Sequence, residues 1–372
     1  MKKIFIFAFI SVSIGADRPG DDRLWEGIYS FYNYEFNKSV SILSEVRKLN
    51  PEHPTVHFTW AVSKWLRAQA YNGIEESYDT LSTSLEKIIP VYDNYVEKYP
   101  DEPEYRLYAA ATKGVKARVH LGKKEWISVV MEGIKGYNGI RTVHNNNPEL
   151  WDAYFPIGIL NFYAGNMSGF VQFLAGFVGI DANKGLGMEQ MTITAKKGKF
   201  AWIEASQIVA FVYLWMDQDF EKALTISQRL VDRIPNSIYN QHLYTESLIR
   251  LNKLDEAEAN LRLTNEMAER LPSLSKKGWL PTLKYHDALL SFYKGDTDRA
   301  MEMVTQSIDE FNAELDTPLG FGYLLRGNIH DLRGNRSLAV GDYRSAVRLD
   351  NYSAAMTKAR GYLRRPFEPR VD

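Results

Sequence analysis

The feature that most constrains this chain is a set of small residues, Ala223, Ala257, Ala300 and Ala339, recurring at intervals of 34, 43 and 39 residues. Intervals of that size accommodate one helix-turn-helix unit each. Such a unit cannot bury its apolar face alone, so it stacks on its neighbours and builds a curved solenoid. Strand signals are nearly absent, and apolar residues recur at three- and four-residue steps between Pro, Asn and Gly breaks. The expected fold is all-α, an α-α superhelix. Surfaces of that kind hold peptides or partner proteins more often than they carry out chemistry.

The clearest unit runs from Gly320 to Asn351. Gly327 permits close approach of the paired helices, Gly334-Asn335 forms the turn, and Ala339, Tyr343 and Ala346 make the packing face of the second helix. Arg326 stands where an apolar residue is expected. Earlier units carry Ala288, Gly295-Asp296, Ala300 and Val304; then Leu248, Asn252-Lys253, Ala257 and Leu261; then Ala210, Leu214, a turn over 217–219 and Ala223. A further copy sits near the start, with Gly27, Phe36, Ser39, Leu43 and Val46 ahead of Asn50-Pro51. Between them the repeat blurs while helices continue, over 55–70, 74–98, 103–121, 124–142, 149–163, 167–178 and 183–197. About fourteen to sixteen helices are expected in all.

These small and turn positions match the tetratricopeptide consensus. The segment Asn147-Pro148-Glu149-Leu150-Trp151-Asp152-Ala153-Tyr154, with Gly158 and Asn161-Phe162-Tyr163, resembles secreted bacterial tetratricopeptide-repeat (TPR) proteins. Asn183-Lys184-Gly185-Leu186-Gly187-Met188, Asp219-Phe220-Glu221-Lys222-Ala223 and Arg233-Ile234-Pro235-Asn236 continue that likeness. Residues 173–205 are similar to the central region of the eukaryotic inclusion-body clearance and outer-membrane TPR proteins. The resemblance covers roughly 145–350 well and the earlier part loosely. It implies a tetratricopeptide-type superhelix and a scaffold-like role, and it supplies no catalytic residues. The acidic or Gly-Gly character that bacterial members often show before Lys184-Gly185 is missing here.

The N-terminus reads as an export signal. Lys2 and Lys3 precede the apolar run Ile4 to Ile14, and Ser13 and Gly15 suit cleavage after Gly15, with Ala16 as the alternative. The expected organisation is a signal peptide over 1–15, divergent helical repeats over 16–200, and C-terminal repeats over 201–372 continuous with them. Export would place the protein in a periplasm or outside the cell. The chain has no Cys, which excludes disulfides, thiolate metal sites and cysteine nucleophiles. Its 45 basic and 46 acidic residues argue against a nucleic-acid partner, which asks for a basic excess.

From Ala153 to Ile180 no residue is charged, long enough to span a bilayer. Pro156, Asn161, five glycines and the turn-like Ala164-Gly165-Asn166 favour two shorter buried helices instead. Phe170, Phe173 and Phe177 are the candidate ligand or lipid contacts there. A small-molecule pocket near 158–180 and a peripheral membrane association are the two alternatives to a protein-binding role.

In this repeat type the first helices of successive units line the concave face. The register puts Tyr239, His242, Glu246 and Arg250 there in one unit, Tyr285, Leu289 and Phe292 in the next, and Asn328 with Asp331 in the last. Aromatic anchors among polar groups suit an extended peptide or a helix. His242, His286 and His330 stand 44 residues apart, but their places within the repeat differ, so no shared metal layer is expected. His53 and His57 lack an obvious third ligand. Gly185-Leu186-Gly187 lacks the strand and the Lys-Ser/Thr of a phosphate loop, and close helix packing explains it better. No nucleophile elbow occurs. The expectation is a non-enzymatic scaffold without metal or cofactor, whose partner is a protein or peptide.

Overall fold

A computed structural model describes residues 18–369, apart from positions 124, 168, 170, 171, 173, 174, 177 and 314 and the side chains at 121, 122 and 126. The expected signal peptide (1–15) lies outside the described residues. So do Phe170, Phe173 and Phe177.

The described residues form helices and no strands. They pair in antiparallel fashion along the chain. The first pairs are α1 (Asp21–Tyr32) with α2 (Phe36–Leu49), and α3 (Val56–Asn72) with α4 (Ile74–Lys98). Next come α5 (Pro103–Gly122) with α6 (Trp126–Asn146), and α7 (Tyr154–Asn166) with α8 (Lys184–Lys197). The C-terminal half holds α9 (Trp202–Val212) with α10 (Phe220–Arg233), and α11 (Ile238–Arg250) with α12 (Leu254–Glu269). It continues with α13 (Ser273–Tyr293) and α14 (Thr297–Asp309), then α15 (Thr317–Leu332) and α16 (Arg336–Arg348), and ends on α17 (Ala354–Tyr362). This is the tetratricopeptide-type superhelix.

The repeat has a backbone signature as well as a side-chain one. Gln218, Asn252, Gly295 and Gly334 all adopt positive φ, 57°, 58°, 82° and 73°, where the first helix of a pair turns into the second. Each stands five positions ahead of Ala223, Ala257, Ala300 or Ala339, and all four alanines are fully buried. Tyr34 (φ 64°) and Ser39 repeat the relation in the first pair. Asp219 and Asp296 then cap the second helices, accepting from Lys222 N at 3.2 Å and Arg299 N at 3.0 Å, each cap contributing about 1 kcal/mol. Gly327 is confirmed as a close-approach site, since a Cβ there would meet the Tyr343 ring at 2.6 Å. Arg326 departs from the consensus because Asp342 receives it in two hydrogen bonds of 3.0 and 2.7 Å.

Two expectations shift. The helix expected over 149–163 starts later, as a 3-10 turn at Trp151–Ala153 followed by α7. Asp152 is buried there because its carboxylate accepts Phe200 N at 2.9 Å and Ala201 N at 3.3 Å, starting α9. Helix α13 begins at Ser273, passes through Pro281, and so carries two extra turns ahead of the repeat register. Among the described helices none is long and apolar enough to cross a membrane.

The main apolar core runs from Leu24 to Ala359 through both halves. The winding is tight enough for pairs distant in sequence to touch. The Trp279 ring, on the extra turns of α13, lies 6.5 Å from Tyr34, and Trp25 stacks on Phe200 at 5.2 Å. Lys199 Nζ reaches Asp21 Oδ2 at 2.8 Å. At the other end α17 packs on α15, α16 and the π-helical turn Tyr213–Asp217 that follows α9.

Candidate interaction site in the superhelix interior

The concave-face residues come together, but mostly as a closed interior. His242, Glu246, Tyr285 and Leu289 are only 3, 0, 1 and 2 % exposed. Tyr239, Arg250, Phe292 and Asn328 keep partial exposure. The groove expected from the register is thus closed at His242, Glu246, Tyr285 and Leu289, because a tightly wound superhelix brings its own first helices against one another.

At its centre is a polar network. Arg250 Nη2 donates to Glu246 Oε1 and to the Tyr285 hydroxyl, both at 2.8 Å, while the guanidinium lies over the Phe321 ring at 5.3 Å. Burial would raise the Glu246 carboxyl, but the Arg250 charge and the His286 imidazole outweigh it and hold it at about 2. The carboxylate is therefore ionised throughout the neutral range. His286 Nε2 stands 3.6 Å from Glu246 Oε2, too long for a direct hydrogen bond, and Oε2 accepts none from the protein.

The 44-residue histidine spacing has a structural meaning that the repeat register conceals. His242 Nδ1 and His286 Nε2 are hydrogen-bonded at 3.0 Å, and their rings stack with centroids 4.7 Å apart. His242 stands 15 positions ahead of Ala257 and His286 14 ahead of Ala300, so their places in the repeat differ by one residue and the first helices of the two pairs bring them onto one layer. Burial, then the neighbouring His286, lowers the His242 imidazole to about 3, so it is neutral. Trp215 stacks on its other side at 5.0 Å. His330 sits elsewhere, 3.9 Å from Asp342. Among the described residues no group of His, Cys, Asp or Glu could hold a metal ion.

The open end of the interior is occupied by the chain itself. After α17 the segment from Leu363 turns back across the first helices of the last two pairs. Phe367 N donates to Asp331 Oδ2 at 2.8 Å, and its ring lies 6.3 Å from Phe292 and 5.4 Å from Tyr362. Helical periodicity gives Phe367 no role. The signal available was an aromatic residue between Pro366 and Pro369.

A second concavity, a cleft of about 540 Å³, lies between α8 and the turn Tyr213–Asp217. Met188, Ile193 and Tyr213 line it, with Lys184, Lys196 and Lys197 around them. Lys184 is held by Asp217 at 2.5 Å. The glycine pair beside it splits in role. A Cβ on Gly187 would meet Phe162 N at 2.4 Å and Gly158 O at 2.6 Å, whereas one on Gly185 would meet only Asn183 Oδ1 at 3.4 Å. Close packing of α7 on α8 thus accounts for Gly187 alone.

No protein-family model and no curated protein sequence matches the chain. Among solved structures it is similar to a tetratricopeptide repeat protein from Parabacteroides merdae, at 12 % identity and TM-score 0.31, over 92 % of this chain and 98 % of that one. It is similar to yeast Tom70 at 11 % identity and TM-score 0.37, over 91 % and 88 % of the two chains. A third is human IFIT1, solved as a dimer with m7Gppp-AAAA, at 12 % identity and TM-score 0.41, over 91 % and 80 %.

Proposed function

We propose that this protein is a non-enzymatic, exported scaffold that binds a polypeptide at the accessible end of its concave face, around Phe292 and Asn328. The observation that carries this reading is that a non-helical segment of the chain already rests there, with an aromatic ring against Phe292 and a main-chain amide on Asp331. That is how a helical-repeat groove holds an extended ligand, by an aromatic anchor and a few main-chain hydrogen bonds. The test is an affinity capture from extract of the source cells with the native chain and a Phe292→Ala, Asn328→Ala variant, both checked for equal helicity. Loss of a specific polypeptide with the variant supports the reading. The same recovery with both contradicts it.

A second reading, a carrier for a small apolar molecule, rests on the cleft beside α8, whose lining residues fall between 184 and 217 and outside the 158–180 stretch expected to form a pocket. Its volume is within the range of small-molecule sites. It predicts that Ile193→Asp, which places a charge on the cleft wall, abolishes uptake of an apolar dye that Phe292→Ala leaves unchanged.

A further inference from the structure

We infer that the segment Leu363–Pro369 is an internal ligand of the concave-face site, and that the site's partner is an extended, proline-flanked segment with one aromatic anchor, competing with it. This rests on the polypeptide-binding reading above and adds the partner's chemistry and its regulation.

The receiving surface is built rather than incidental. Asp331 has a side chain only 1 % exposed. Its carboxylate accepts from Arg336 Nη1 at 3.0 and 3.1 Å, from the Tyr343 hydroxyl at 2.9 Å, and from Phe367 N at 2.8 Å. A buried carboxylate loses a charge-assisted bond when one donor leaves. The Asp331 position therefore favours a main-chain N–H, from this chain or another. Arg336 fixes the root of the segment, its Nη2 donating to the Tyr362 carbonyl at 2.6 Å and the Leu363 carbonyl at 3.2 Å.

The occupant is lightly held beyond that root. Arg364, Arg365, Pro366, Glu368 and Pro369 are exposed, and Phe367 is the half-buried anchor. Pro366 and Pro369 bias Arg365 and Glu368 toward extended backbone, which lowers the ordering cost of an extended ligand. Pro366 has no amide to leave unsatisfied. A single anchor on a short tether acts at an effective concentration in the millimolar range. It would keep weak ligands out and yield to a tighter one.

The experiment uses a fluorescein-labelled peptide Arg-Arg-Pro-Phe-Glu-Pro (residues 364–369), titrated by anisotropy against the full chain and a chain shortened after Arg364. Phe367→Ala in the full chain is a second way to empty the site, and circular dichroism checks the folding of every variant. The expected result is saturable binding to the shortened chain and to Phe367→Ala, at least tenfold tighter than to the full chain. A peptide with Ala at the Phe position does not bind, and Phe292→Ala in the shortened chain abolishes binding. Absence of binding to both emptied, folded chains overturns the inference, and so does equal affinity for the full and emptied chains. If the peptide fails while a Phe292-dependent partner is still captured, only the inference falls. If neither binds, the polypeptide-binding reading falls with it.

Discussion

Lys199 Nζ stands 2.8 Å from Asp21 Oδ2 although 178 residues separate them. The same carboxylate accepts Arg18 N at 2.9 Å and pairs with His53 Nε2 at 2.7 Å. Because His53 Nδ1 accepts Thr55 N at 3.2 Å, Nε2 carries the proton and is the donor. Asp21 thus ties the first helix pair to the middle of the superhelix. Asp21→Asn keeps the shape and removes the charge. It is expected to cost about 2 kcal/mol, reduced from a buried-pair value because Lys199 is partly exposed. Urea denaturation measures it, and an unchanged midpoint would contradict the tie.

Stability should fall as pH drops from 7 to 5. Burial, followed by smaller effects of neighbouring groups, lowers the His57 imidazole to about 4 and the His242 imidazole to about 3, and His53 moves in the same direction. The unfolded chain binds those protons near pH 6.5, well before the folded chain does. His57 and His242 each then contribute a loss of about 2 kcal/mol of stability between pH 7 and 5, and His53 adds a loss of the same sign. Asp21, whose hydrogen bonds from Lys199 and His53 outweigh burial and lower it, adds loss only as pH falls through about 4. Asp152 and Glu204, raised by burial, act in the opposite sense. His57→Gln should shrink the difference between pH 7 and pH 5 by about 2 kcal/mol. A difference equal to that of the native chain would show that His57 is protonated in the fold.

The Glu246–Arg250 pair should be costly to halve and cheap to replace whole. Glu246→Gln leaves a largely buried guanidinium without its counter-charge, a loss of about 3–5 kcal/mol. Arg250→Met together with Glu246→Leu should recover most of that loss. Calorimetric melting of the three chains separates these outcomes, and additivity of the two single changes would argue against a coupled pair.

The two glycines of Gly185-Leu186-Gly187 should respond differently to alanine. Gly187→Ala drives a methyl into the backbone of α7 and is expected to lose about 2–3 kcal/mol. Gly185→Ala has room and improves helix propensity by up to about 1 kcal/mol. Equal effects would mean that α7 and α8 do not cross there.

The local repeat is legible in five of the pairs because each of these states it twice, in a buried small residue and in a left-handed turn residue five positions earlier. Tyr34 hid the first of these turns, since an aromatic residue is an unusual choice for positive φ. The closed interior could not be read. It depends on the small rotation between neighbouring pairs summed over the whole superhelix, and on the α13 turns before Pro281, which carry Trp279 to Tyr34. The one-position difference within the repeat hides the contact of His242 with His286. Phe367 was missed because helical periodicity says nothing about an extended segment.

The most direct test of a polypeptide-binding surface at the Phe292 end is site-specific photocrosslinking. p-Benzoylphenylalanine would replace Tyr293, which is 37 % exposed beside Phe292, and in a separate chain Ile193 in the outer cleft. Each is irradiated in extract of the source cells and analysed by mass spectrometry. The account predicts a polypeptide adduct from position 293 that residues 364–369 in excess suppress, and none from position 193. An adduct from position 193 alone, or a position-293 adduct indifferent to that peptide, would contradict it.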